Sequence, residues 1–167
     1  MAQNSLPNLH QGRTRMIMDA AEYAYEQAFA QGLVLDIEPE SLHRQQVCST
    51  VSNLMLEYLV NNRHPDAVHV SRSGDIAPKV HSYVLLDADH GKDPRKGLVA
   101  DGTWQQFFEP EDMPDLPPDV PRVLVGSRAD VVAFLGGLGA PETVKDIYRP
   151  LPLAKSVIKE RLHLPRR

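Results

Sequence analysis

Only one cysteine, Cys48, occurs in the chain, which excludes an internal disulfide and leaves nothing that points to an oxidising compartment. No apolar run approaches the roughly 20 residues that a membrane-crossing helix needs, so no membrane span is expected. The opening MAQNSLPNLHQGRTR lacks the continuous apolar stretch of a secretory signal peptide. The expectation is a protein that is cytoplasmic as synthesised, with export to a host or neighbouring cell without a cleaved signal left open. Basic charge is not in excess either: 18 Lys and Arg stand against 22 Asp and Glu, a net charge of −4. That is the wrong sign for a broad nucleic-acid surface, and Arg166 and Arg167 at the end have the size of a solvated tail. No internal repeat and no low-complexity tract is found.

What is present fits one ordinary domain. The 167 residues are 42% hydrophobic and 24% charged, a balance that supports a real core and argues against wholesale disorder. Residues 1–12 read as a loose leader and 13–167 as a single domain. The segment 13–31 is rich in Ala, Met and Glu and lacks Gly and Pro; Met16, Ala20, Tyr23, Ala24, Gln27 and Ala28 share a face, so it predicts an amphipathic helix ending at Gly32. A second helix is expected over 47–61, with Val51, Leu54, Met55, Tyr58 and Leu59 as its buried stripe. The period then changes. Strands are expected at 67–71, 79–87, 98–104 and 122–126, a proline-rich acidic loop or partial lid at 109–121, and helices at 128–135, 141–148 and 152–162. Helices first and a mostly antiparallel sheet after them define an α+β chain.

Cys48 falls in the first turn of the second helix, where unpaired backbone N–H groups and the helix dipole favour a thiolate. A cysteine there is also compatible with a small buried hydrophobe. His81 and Asp101 add geometry. If the strands around 88–96 form a symmetric hairpin, residue 81 faces residue 101, and opposed residues share a face with Cβ atoms about 4.5–5.5 Å apart. Asp101 then holds one imidazole nitrogen and leaves the other free, which is how a third group orients a catalytic base. Either His81 or Trp104 alone reads equally as a core residue.

The pieces QQVCSTVSNLMLEYL, VHSYVLL and VADGTWQQF resemble the transglutaminase-like branch of the papain-like cysteine protease superfamily, over roughly residues 45–108. The resemblance implies a core of N-terminal helices, one bearing the catalytic Cys at its start, packed on a mostly antiparallel sheet. It also implies a nucleophile at Cys48, a general base at His81 and an orienting acid at Asp101, with Trp104 at the aromatic position after the acid. Members often carry Gly or Gln before the Cys and Trp after it, whereas Val47 and Ser49 stand here. Gln45 and Gln46 lie near enough to offer an amide to an oxyanion, at a spacing that does not map onto the family's donor. Residues 109–167 have no counterpart in that pattern.

Such a chain is expected to perform acyl transfer through a thioester on an amide of a protein or peptide. Glutamine deamidation or proteolysis is preferred and transamidation is open; an effector-like role follows only by analogy. No cofactor and no metal enter this chemistry. A zinc site built from His43, Cys48, His69, His81 and His90 lacks every familiar ligand pair, and GGLG at 136–139 reads as a helix terminator rather than a phosphate cradle. Two further alternatives remain: a non-catalytic binding module of the same fold, which requires a buried and slow thiol, and a small-molecule acyltransferase.

Overall fold

The computed structural model describes residues 11–34, 47–73, 80–87, 97–108, 116–117 and 119–150. In chain order these form α1 (Gln11–Ala30), α2 (Cys48–Asn61), β1 (Val68–Ser73), β2 (Val80–Leu86), β3 (Leu98–Asp101), a 3-10 turn (Trp104–Phe107), β4 (Leu124–Gly126), α3 (Arg128–Gly137) and α4 (Val144–Ile147). The α+β class stands, with four α-helices and a four-stranded antiparallel sheet among the described residues. No helix among these residues is long and apolar enough to cross a membrane. The expected helix at 152–162 and most of the expected loop at 109–121 lie outside the described residues.

The sheet is a meander in the order β1-β2-β3-β4, every neighbouring pair antiparallel. Because side chains alternate along a strand, β2 divides its residues between two cores. Val84 and Leu86, with Ala100 from β3, face Ala20, Ala24, Val51 and Met55 of α1 and α2. Tyr83 and Leu85, with Val99, face Val131 and Leu135 of α3 and Ile147 of α4. Burial on both faces explains why β2 reads as a near-continuous apolar run. Helices thus cover both sides of the sheet.

Helix α1 buries Ile17, Ala20, Ala21, Ala24, Tyr25 and Ala28, so the stripe is rotated from the expected one: Ile17 and Tyr25 replace Met16 and Tyr23. The cause is polar as well as apolar. Tyr25 donates its hydroxyl to the Gly102 carbonyl at 2.6 Å and lies 4.5 Å beneath the Arg122 guanidinium, which also reaches Glu22 at 3.1 Å. The small alanines let α1 approach α2 closely. Gly32, at φ 68, ends the helix, with Leu33 N–H returning to the Ala28 carbonyl at 2.8 Å. The third strand is shorter than expected: it stops at Asp101 and the chain turns into the 3-10 segment.

Candidate active site

The site begins where α2 begins. Val47 offers no side-chain cap, so the N–H groups of the first turn lack intrahelical acceptors until Val51 N–H bonds to the Val47 carbonyl at 3.0 Å. Cys48 is the first helical residue, and its Sγ lies 3.6 Å from the carbonyl oxygen of Val80, the first residue of β2. One turn along the helix, Ser52 donates to the Ser82 carbonyl at 2.9 Å, which fixes helix against strand.

His81 is 3% exposed and its Nε2 lies 2.5 Å from Asp101 Oδ2. With Nε2 engaged on the carboxylate, Nδ1 is the nitrogen left for the thiol. The expected face is correct but the register is not. The observed ladder pairs Val84 with Ala100, Leu85 with Val99 and Leu86 with Leu98, which sets Tyr83 rather than His81 across from Asp101. His81 and Asp101 are therefore diagonal neighbours, displaced by two residues and still on one face.

Asp101 is fully buried and meets donors on both oxygens. Oδ1 accepts the Thr103 N–H at 2.8 Å, with the Thr103 hydroxyl at 3.4 Å; Oδ2 faces His81 and accepts the Tyr148 hydroxyl at 2.5 Å. An ionised carboxylate offers about four lone-pair directions, so this one is saturated inside the protein. Aromatic rings enclose the imidazole: Phe107 at 4.5 Å between centroids and Tyr148 at 6.4 Å.

The electrostatics follow from this arrangement. Burial would raise the Cys48 thiol, but the hydrogen bond and charge of His81, aided by the backbone of Ser82, outweigh it and lower the pKa below the ordinary thiol value. Burial disfavours a charged His81, yet the charge and hydrogen bond of Asp101, then the contact with Cys48, hold its pKa up at about 10. A lowered thiol beside a raised imidazole favours the thiolate–imidazolium form of the pair. Burial and then the Asp101 charge push Tyr148 well above the usual phenol range, so it remains a donor.

Of the expected site residues, Cys48, His81 and Asp101 meet at the start of β2. Trp104 does not join them: it is fully buried, donates its indole N–H to the Pro121 carbonyl at 3.0 Å, and packs edge-on against Phe108 and Phe134. Gln45 and Gln46 lie outside the described residues, as do His43 and His90. Among the described residues no three His, Cys, Asp or Glu side chains gather as metal ligands. Sequence reasoning missed Thr103, which the Asp-x-Thr spacing could have signalled as an Asx turn. It also missed Tyr148, whose contact with Asp101 spans 47 residues and leaves no local trace. The chain matches no family model, no curated protein and no solved structure.

Proposed function

We propose that the chain is a cysteine-dependent acyl-transfer enzyme with a transglutaminase-like core, acting through a thioester on an amide of a protein or peptide. One observation carries the reading: the Cys48 thiol opens a helix at the start of β2, where the buried imidazole of His81 lies 2.5 Å from a buried carboxylate that Thr103 and Tyr148 also bond. The Cys48 thiolate attacks the amide carbon, forming the C–S bond, and the first-turn N–H groups of α2 receive the oxyanion. The His81 imidazolium gives its proton to the departing nitrogen as the C–N bond breaks. The neutral imidazole then takes a proton from water, which attacks the thioester and releases the acid and the thiolate. A glutamine side chain yields deamidation and a peptide bond yields proteolysis; an amine in place of water yields transamidation. Cytoplasmic synthesis, with export without a cleaved signal left open, and an effector-like role by analogy belong to the same proposal.

A second reading has one observation in its favour. Cys48 is only 6% exposed, as a non-catalytic binding module would have it. Alkylation by iodoacetamide separates the two. In the enzyme, Cys48 reacts readily at about pH 6, and His81→Ala slows that reaction on the order of 10-fold or more. A rate that simply follows a free thiol of pKa about 8.5, with no effect of His81→Ala, would count against the pairing, and a thiol that scarcely reacts at any pH would favour the module.

A further inference from the structure

We propose that Tyr148 is a fourth member of the Cys48–His81–Asp101 unit, a positioning residue that limits how tightly the carboxylate holds the imidazolium. The inference rests on the cysteine-enzyme reading and concerns the control of that site. Its basis is a shared oxygen. Tyr148 Oη and His81 Nε2 each lie 2.5 Å from Asp101 Oδ2, while Oδ1 is turned to Thr103. Two donors on one oxygen compete, because each draws off charge the other would use. The phenol bond is stronger when the ring is neutral and weaker when it is charged, so Tyr148 favours release of the imidazolium proton. A base that must give and take protons in each turnover needs such a limit; an imidazolium locked to a bare buried carboxylate would not release its proton to the departing nitrogen.

Tyr148 is not held there by accident of packing alone. Its short helix α4 is tied to the His81 face of the sheet by the Tyr83 hydroxyl on the Ile147 carbonyl at 3.3 Å and by Arg72 on the Pro150 carbonyl at 3.3 Å. The rings of Tyr83 and Tyr148 also pack at 4.9 Å between centroids, tilted by 46°. Cys48 from α2 and Asp101 from β3 act on the imidazole directly, Arg72 of β1 lies opposite it in the ladder, and Tyr83 of β2 and Tyr148 after α4 are neighbours of the carboxylate. Of these only Tyr148 shares the oxygen that His81 uses.

The test follows alkylation of Cys48 by iodoacetate, an anion attracted by the imidazolium, so that its rate is bell-shaped and the alkaline limb reports loss of the ring proton. In Tyr148→Phe the alkaline limb should move up by about half a pH unit. With 3-fluorotyrosine installed at position 148, a stronger donor, it should move down, and this arm holds even if Tyr148→Phe folds poorly. Tyr83→Phe removes a docking bond of α4 but keeps the Tyr148 hydroxyl, and should move the limb less than Tyr148→Phe does. Limbs that superimpose for all variants, or that move equally in Tyr83→Phe and Tyr148→Phe, overturn the role of Tyr148 and leave the enzyme reading intact. A wild-type rate that rises without an alkaline limb removes the ion pair, and both proposals with it.

Discussion

A carboxylate without solvent must find every partner inside the protein, and Asp101 finds them in His81, Thr103 and Tyr148. Its charge is what keeps the imidazole protonated next to the thiol, so Asp101→Asn, with nearly the same shape, should cost on the order of 10–10³-fold in turnover of a peptide amide. Asp87 is the control. It forms a half-exposed ion pair with Arg13, so Asp87→Asn should turn over like wild type and lose at most about 1 kcal/mol of stability. An inactive Asp87→Asn beside a fully active Asp101→Asn would invert the assignment. The pairing of His81 with Asp101 was legible from the sequence for a limited reason. Parity places both on one face, and a shift of two residues preserves parity, so the shared face holds in either register. The register itself was not legible. Either alignment buries the same alternating residues, so the pattern does not choose between them; the observed ladder pairs Val84 with Ala100 and Leu86 with Leu98.

At the scale of elements, the end of β3 is where α1, α2 and the site converge. A Cβ added at Gly102 would lie 2.9 Å from the Tyr25 hydroxyl, 3.2 Å from Met55 Sδ and 3.2 Å from Val51 Cγ1. None of these is a free surface tip: all three residues are fully buried. Gly102→Ala should therefore lose about 1–3 kcal/mol, the usual cost of overpacking, read as a lower Tm. It should also slow Cys48 alkylation, because the strand end that presents Asp101 must shift. A variant as stable and reactive as wild type would mean that the two helices yield at no cost. Element existence was easy to read in α1 and α2, where apolar spacing is long and uninterrupted. The faces were harder. In α1 the alanines at 20, 24 and 28 fit two adjacent stripes, and Tyr25 decides between them through Gly102 and Arg122, contacts that lie far away in sequence. The third strand is shorter than its apolar pattern predicts for a related reason: after Asp101 the chain turns, with the Asp101 carboxylate accepting the Thr103 N–H.

Over the whole molecule, the order of elements yields the α+β class, but the placement of helices on both faces of the sheet was not legible. The C-terminal segment showed no motif, and its part in the site depends on one tyrosine brought against Asp101 by the docking of α4. Burial of the site between layers also couples its ionisation to folding. The Cys48→Ser variant isolates the imidazole by removing the thiol, while the main cause of the raised His81 pKa, Asp101, remains. With Cys48 present the folded pKa is about 10 against an ordinary value of 6.5; with Asp101 in place it stays raised in the variant, so the protonated ring stabilises the fold fully below pH 6.5. As pH rises from 6.5 toward 10 that contribution is lost, because the folded protein retains a proton that the unfolded chain has given up. Tyr25 and Tyr148, both raised by burial, destabilise only once an unfolded tyrosine ionises near pH 10, so the informative window closes at about pH 9. Across it, chemical denaturation of Cys48→Ser should show stability falling by roughly 1 kcal/mol per pH unit. Adding Asp101→Asn should flatten the slope even if the double variant is less stable throughout. A flat slope in the single variant would show that the buried imidazole is neutral, and an equally steep slope in the double one would show that the carboxylate does not hold its proton.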